Sequence, residues 1–200
     1  MRVRIFTLLA LLLGTLNLIA DVRVGQAAPD FAATDVNGRT HRLADYRGKI
    51  VVIEAYSPAC PYSLNQYKSG AMPALQGNVV PKGVVWLTVN SNGPGSPGHR
   101  TAEVARKDFG EAGGKATGLI DDSNGALGRK YGLKTTPQIV VIDQQGVVAY
   151  TGAVDDRAAT TGDPRTARSY VRQAIESLIA GKPSPVAETA PYGTPIKYAP

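Results

Sequence analysis

The sequence predicts an α/β protein in which a central mixed sheet is flanked by helices. From Ile50 onward, short apolar segments rich in β-branched residues alternate with segments of helical character. The series closes with a hairpin and a final amphipathic helix, which is why we expect a mixed rather than a purely parallel sheet. The chain has 200 residues, 43% hydrophobic and 19% charged, and this composition excludes a disordered chain.

The strands are predicted from apolar runs and from the turns between them. Asn37-Gly38 separates two short segments and is typical of an N-terminal β-hairpin. The turn 143–146 predicts a second hairpin near the end of the fold. In chain order, strands are expected at 31–35, 39–43, 50–56, 84–89, 118–121, 138–142 and 147–152.

The helices are predicted from capping residues and apolar spacing. Pro61 suits the first position of a helix that runs to about Gln76, with a kink or early end at Gly70 or Pro73. Shorter helices are expected at 101–109 and 126–131, and a last helix capped by Asp163 and begun by Pro164. Its predicted buried stripe is Val171, Ala174, Ile175, Leu178 and Ile179.

The two ends of the chain are expected to lie outside the domain at residues 28–181. Arg2 and Arg4 precede an apolar stretch at 5–20, the pattern of a signal peptide. An N-terminal anchor is the alternative, although this stretch is shorter than the ~20 residues that span a bilayer. We therefore expect an exported protein, periplasmic or secreted, with no other membrane contact. The Pro-rich tail at 182–200 is predicted to be extended on the surface or disordered.

Charge and cysteine content exclude several classes of function. The net charge is +6, but no run of Lys or Arg marks a nucleic-acid site. Cys60 is the single cysteine, so neither an intramolecular disulfide nor a thiolate metal cluster can form. His41 and His99 are far apart in sequence and are expected at the surface, so we predict neither a metal nor a cofactor.

Cys60 itself is placed where a thiol becomes reactive. It ends a predicted buried strand and caps the following helix, whose free N–H groups and dipole favour a thiolate. Pro58 and Pro61 place it at an exposed corner, and Ser63 lies on the first turn, where its hydroxyl could donate to the sulfur. The alternative is a buried structural cysteine.

These segments resemble a known superfamily. Residues 53–63 resemble the active-site segment of the thioredoxin superfamily, and Lys134-Thr135-Thr136-Pro137 is similar to its cis-proline loop. Residues 25–31 with Asn37-Gly38 resemble the start of redoxins of the alkyl hydroperoxide reductase/thiol-specific antioxidant family. The resemblance covers residues 25–198 and implies a thioredoxin-like sandwich with oxidoreductase chemistry at Cys60.

The resemblance also implies roles for neighbouring residues. Glu54 stands at the position of the superfamily's buried acid, where burial would raise its pKa and make it a proton relay; a strand carboxylate facing solvent is the alternative. Thr136 and Pro137, with Pro61, are expected to bind an extended substrate beside the thiol, unless Pro137 forms a trans turn. Ser57 matches the hydroxyl position of the peroxiredoxin motif.

Four departures from the family patterns limit this chemistry. Ser63 replaces the second cysteine of a Cys-x-x-Cys pair, and Thr194 stands where many relatives carry a tail cysteine. Ile53 stands where the peroxiredoxin motif has proline, and the peroxide-polarising arginine has no counterpart. An external thiol reductant or a thioredoxin-like protein must therefore complete any cycle on a disulfide or peroxide substrate. The alternative is a redox-inert module of the same fold that binds peptides.

Overall fold

A computed structural model describes residues 22–200, and the predicted leader or anchor at 1–20 lies outside them. The strands are β1 (Ala32–Thr34), β2 (Thr40–Arg42), β3 (Val51–Ala55), β4 (Val85–Asn90), β5 (Gly118–Asp121), β6 (Thr135–Thr136), β7 (Gln138–Ile142), β8 (Val148–Gly152) and β9 (Thr194–Pro195). The helices are α1 (Pro61–Lys68), α2 (Ala71–Val79), α3 (Ala102–Glu111), α4 (Ala126–Lys130) and α5 (Tyr170–Ile179).

The predicted mixed sheet is confirmed. Its strand order is β5-β4-β3-β7-β8, with β3, β4 and β5 parallel and with β7 and β8 antiparallel to their neighbours. Every residue of β3 and β4 is buried, because apolar clusters cover both faces of the sheet. The central strand β3 therefore delivers the segment that follows it, including Cys60, to the carboxyl edge of a rigid layer.

The N-terminal hairpin is also confirmed, but the surface position expected for His41 is wrong. Strands β1 and β2 pair antiparallel around Asn37-Gly38, and Gly38 takes the left-handed backbone (φ +82°) that such a turn needs. His41 is fully buried, with Nε2 3.0 Å from Asp35 Oδ2 and Nδ1 bonded to the Tyr46 hydroxyl. Both ring nitrogens thus have partners, which offsets the cost of burying this polar side chain.

The helix that follows Cys60 is divided in two. α1 ends at Lys68 and α2 begins at Ala71, with Gly70 between them at φ +77°. Pro73 does not cause the break, because it lies in the first turn of α2, where backbone N–H groups lack intrahelical partners in any case.

The predicted start of the last helix is wrong. Asp163 and Pro164 begin only a short 3-10 turn, and the backbone is extended at Ala167. α5 starts at Tyr170, where the Ser169 hydroxyl accepts from the Arg172 N–H and replaces Asp163 as the cap. Of the predicted buried stripe, Ile179 is the exception, since it is 45% exposed.

The tail is extended, and it pairs with the rest of the fold. Thr189 N–H donates to the Thr151 carbonyl at the edge of the sheet, and β9 pairs antiparallel with β6 further on. Within residues 22–200, no helix is both long enough and apolar enough to cross a membrane.

Candidate active site

Cys60 is the N-cap of α1, as predicted. Pro61 occupies the first helical position, and the Ser63 N–H donates to Cys60 Sγ over 3.5 Å. The strand before it and the proline after it fix this geometry, because a proline cannot continue β-ladder hydrogen bonding but is well suited to begin a helix. The sulfur therefore lies at the positive end of the helix dipole.

The cis-proline loop lies directly against the thiol. The Thr136–Pro137 peptide bond is cis, which confirms the prediction and excludes the trans turn. The Cys60 thiol donates to the Thr136 carbonyl oxygen over 2.8 Å. Two segments far apart in the chain thus meet at one sulfur atom.

The tail forms the third side of this site. Thr194 pairs with Thr136 and Pro195 pairs with Thr135, and the Ile196 N–H donates to the Lys134 carbonyl over 2.9 Å. Cys60 is 0% exposed. The expectation of an exposed thiol was wrong, because the loop and the tail cover a corner that the local sequence alone leaves open.

Opposing effects set the pKa of the thiol. Burial raises the pKa of Cys60, whereas the hydroxyls of Thr136 and Thr194 and the backbone amides of Ser63 and Thr194 lower it. The lowering effects prevail, so the pKa lies below that of an ordinary cysteine. This direction favours the thiolate, which is the nucleophilic form.

Glu54 is fully buried, as the resemblance to the thioredoxin superfamily implied, and it is not a strand carboxylate facing solvent. Its carboxylate accepts hydrogen bonds from Trp86 Nε1 at 2.8 Å, Tyr67 OH at 2.9 Å, Thr88 Oγ1 at 3.0 Å and Gln76 Nε2 at 3.2 Å. Burial raises the pKa of Glu54 to about 7 despite these four donors. We refer to this group as the Glu54 cage.

The cage partners were missed by sequence reasoning. Tyr67 and Gln76 come from α1 and α2, and Trp86 and Thr88 come from one face of β4, where Thr88 stands opposite Glu54 in the register. The one sequence feature that pointed to such partners is the two-residue spacing of Trp86 and Thr88, which places both side chains on the same face of a strand. The hydrogen bonds of the Glu54 carboxylate to other described residues all stay within the cage, and none reaches Cys60.

The predicted serines lie near the thiol without bonding to it through their hydroxyls. Ser63 is buried, but its contact with Cys60 is made by the backbone amide, which corrects the predicted hydroxyl contact. Its Oγ has no hydrogen-bond partner among residues 22–200. Ser57 Oγ accepts from the Ala59 N–H at 3.3 Å and stabilises the turn that leads to Cys60.

A buried carboxylate beside α1 was also missed. Asp155 accepts hydrogen bonds from Gln66 Nε2 at 2.7 Å and from the hydroxyl of Tyr192 in the tail at 2.6 Å. It thereby links the first helix to the tail close to the site. Within the described part of the chain, no group of three His, Cys, Asp or Glu side chains is arranged to hold a metal ion.

Comparisons with known proteins identify the family of this chain. A profile of the AhpC/TSA family matches residues 24–151. The chain belongs to the AhpC/TSA family. The thiol-disulfide oxidoreductase ResA of Geobacillus thermodenitrificans (strain NG80-2) is 31% identical over 129 residues, which are 64% of this chain and 67% of ResA.

Solved structures extend the likeness to the whole fold. A hypothetical protein from Sinorhizobium meliloti 1021 superposes with a TM-score of 0.76 at 20% identity, over 90% of this chain and 97% of that one. An uncharacterised conserved protein from Geobacillus kaustophilus gives a TM-score of 0.75 at 25% identity, over 92% and 95% of the two chains. The thioredoxin domain of a thiol-disulfide oxidoreductase from Bacteroides vulgatus gives a TM-score of 0.51 at 18% identity, over 66% of this chain and 89% of that one, which confirms the thioredoxin-like α/β fold of this AhpC/TSA member.

Proposed function

We propose that this protein is a thiol–disulfide oxidoreductase in which Cys60 is the single redox residue. The observation that carries the proposal is the position of Cys60 Sγ, which lies at the N-terminus of α1 and 2.8 Å from the carbonyl of Thr136 in the cis-proline loop. A lowered thiol pKa supports it. The relative ResA, named a thiol-disulfide oxidoreductase, supports the same class of reaction.

The proposed reaction begins when the Cys60 thiolate attacks one sulfur of a substrate disulfide. The substrate S–S bond breaks, a Cys60–substrate mixed disulfide forms, and the other substrate sulfur leaves as a thiolate that takes up a proton. Thr136 and Pro137 would align the substrate backbone, a role supported by the strand pairing of Thr136 with Thr194. Pro61 and the amide of Ser63 hold the sulfur at the helix terminus.

An external thiol is needed to release the substrate. Position 63 carries a hydroxyl that cannot attack a mixed disulfide, and the chain holds a single cysteine. A small thiol reductant or a thioredoxin-like protein would attack the substrate sulfur of the mixed disulfide, which frees Cys60 and transfers the disulfide bond to the external thiol.

Glu54 is proposed to assist by proton uptake rather than by contact with the sulfur. With its pKa raised to about 7, the carboxyl gains and loses a proton in the neutral range where the exchange occurs.

A thiol-dependent peroxidase is a second candidate, favoured by the complete burial of Cys60, because a peroxide is smaller than a protein disulfide. In this reaction the thiolate attacks the O–O bond, forms a sulfenic acid and releases water or an alcohol. An external thiol then converts the sulfenic acid to a mixed disulfide, and a second one restores Cys60.

One assay separates these candidates from a redox-inert binding module. Purified protein is supplied with a glutathionylated peptide or hydrogen peroxide, each with and without added reduced glutathione, and substrate loss and the mass of the intact chain are measured. The disulfide reaction predicts glutathione-dependent peptide turnover that Cys60→Ser abolishes. Turnover of peroxide but not of the peptide would indicate that the protein is a peroxidase. Turnover of neither substrate would support the redox-inert binding module.

The site of action is proposed to be outside the cytoplasm. Arg2, Arg4 and the apolar stretch at 5–20 support export, with or without cleavage of that stretch. Fractionation of cells that produce the full chain tests this, with the N-terminal sequence of the recovered protein distinguishing a cleaved leader from an anchor.

A further inference from the structure

The strand edge beside Cys60, at Thr135 and Thr136, already pairs with an extended segment of the same chain, and we call this edge together with Cys60 the Cys60 groove. β9 pairs antiparallel with β6, with Thr194 opposite Thr136 and Pro195 opposite Thr135. Thr136 is the residue that precedes the cis-proline and whose carbonyl accepts from the Cys60 thiol. A bound substrate strand would need the same backbone groups, because pairing through the main chain is how an extended peptide binds an exposed strand edge.

Side-chain contacts hold this part of the tail on both sides of β9. Before it, the Tyr192 hydroxyl donates to Asp155 over 2.6 Å, and its ring lies 5.7 Å from that of Tyr62 in α1. After it, the Tyr198 hydroxyl donates to the Leu133 carbonyl over 2.7 Å. Together with backbone bonds just after β9, from the Ile196 N–H to the Lys134 carbonyl and from the Gly93 N–H to the Lys197 carbonyl, these side chains keep the two-residue strand in register.

Gly193 shows how closely the tail approaches the loop. Its backbone has φ +134°, and a Cβ built on it would overlap the Thr136 carbonyl oxygen. A side chain at this position is therefore incompatible with the paired arrangement, so the backbone of the tail lies directly against the loop.

We infer that residues 193–195 are a tethered strand that occupies the substrate groove and shields Cys60, so that an extended disulfide substrate must displace it. The inference rests on the proposed function for the identity of the substrate. The contacts that hold residues 193–195 in place all involve the tail itself: the β9 pairing, Tyr192, Tyr198 and the backbone bonds of Ile196 and Lys197. Displacement therefore requires opening of the tail, while the sheet and the core stay folded.

The test measures how fast iodoacetamide alkylates Cys60 in the full-length protein, without any redox substrate. Rates are compared on the plateau at high pH, where the thiol is ionised in every variant. A difference in thiol pKa between variants therefore does not affect the comparison. Gly193→Ala is expected to alkylate about tenfold faster than the wild type, equivalent to about 1.4 kcal/mol in the opening equilibrium.

The matched control is Gly83→Ala. Gly83 also has positive φ (+92°), but a Cβ there meets nothing within 4 Å, and it precedes β4, at the opposite end of the parallel strands from Cys60. It should leave the plateau rate unchanged. A Gly193→Ala rate within about twofold of this control would overturn the inference.

Two further variants keep the test decisive if Gly193→Ala does not fold. Tyr192→Phe removes the bond to Asp155 and should increase the plateau rate about threefold, a smaller effect because the ring contact with Tyr62 and the anchors after β9 remain. Thr194→Cys, treated with diamide as the oxidant of both thiols, should form a disulfide with Cys60 within one chain. An unchanged Tyr192→Phe rate, or a cross-link only between two chains, would contradict the tethered strand.

Failure of this inference is distinguishable from failure of the proposed function. Alkylation reports the position of the tail whether or not the protein has turnover. If Cys60 is alkylated equally fast in all variants but turnover depends on glutathione, the proposed oxidoreductase function stands and the tethered strand is excluded. If the tail variants alkylate faster but the protein has no turnover, the tethered strand stands and the proposed function is excluded.

Discussion

The Glu54 cage and the Cys60 groove are both closed to solvent, but they are closed by different parts of the molecule. The cage is built by strands and helices of the core, and its four donors come from α1, α2 and β4. The groove is closed by a loop on one side and by two paired residues of the tail on the other. Opening the cage would require the protein to unfold, whereas opening the groove requires the tail alone to move.

This difference explains how a buried cysteine could be a nucleophile. Burial in the core would make the thiol inert, since nothing in water could reach it. Burial under a tail keeps the sulfur at the helix terminus and leaves a route to it. The cage, by contrast, must stay closed, because opening would return Glu54 to the ordinary carboxyl pKa.

The largest expected effect is that of Cys60→Ser. No other cysteine exists to take its place, so all thiol-dependent turnover should be lost. The serine hydroxyl has nearly the same size and leaves the fold intact, which circular dichroism and thermal unfolding can verify. Residual turnover in this variant would exclude Cys60 as the nucleophile.

The second effect is on stability and concerns the cage. Burial raises the pKa of Glu54 from 4.5 to about 7, so the folded state binds the proton more tightly than the unfolded state. The stabilisation from this proton is complete below about pH 4.5, is lost as the pH rises to about 7, and corresponds to about 3 kcal/mol.

Denaturant unfolding from pH 4 to 8 measures this contribution. The difference in unfolding free energy between wild type and Glu54→Gln should change by about that amount across the window. Glu103→Gln is the matched control, because Glu103 is an exposed glutamate of α3. Equal pH profiles for wild type and Glu54→Gln would show that the cage does not hold a shifted carboxyl.

The third effect comes from Ser63→Cys. The introduced thiol would attack the sulfur of Cys60 in the mixed disulfide, release the substrate thiol and leave a disulfide within the chain for an external thiol to reduce. Release of a trapped glutathionyl group should be about tenfold faster than in wild type at low external thiol. Ser69→Cys, at the other end of α1, should show no such gain.

The smallest effects separate the two regions directly. Thr88→Val removes one donor from Glu54 and should cost about 1–2 kcal/mol of stability without changing Cys60 alkylation. Tyr198→Phe removes one tail anchor, should cost less than about 1 kcal/mol, and should increase the alkylation plateau by about twofold. Faster Cys60 alkylation in Thr88→Val, with no change in Tyr198→Phe, would contradict the separate closure of the cage by the core and of the groove by the tail.

The features that were predicted correctly from the residues alone are those determined by residues close together in the chain. The order of the main strands and helices and the cap at Cys60 depend on neighbouring residues, and they agree with the structure. The resemblance to known redoxins supplied the cis bond before Pro137.

What failed depended on residues distant in the chain. The exposure of Cys60 was misjudged because Thr194, which covers it, belongs to a segment without periodicity. His41 was placed at the surface because its partners Asp35 and Tyr46 come together only when the hairpin folds. Asp163 was a sound capping residue, but Ser169 caps the helix that carries the buried stripe.

The central claim is that Cys60 is a thiolate nucleophile at a helix terminus. Its direct test is the rate of Cys60 alkylation by iodoacetamide as a function of pH in the wild-type protein, with the product located by peptide mass. We expect a single titration with a midpoint below that of free cysteine measured in the same buffer. A midpoint at or above that value would contradict it and would leave a thioredoxin-like fold without thiol chemistry.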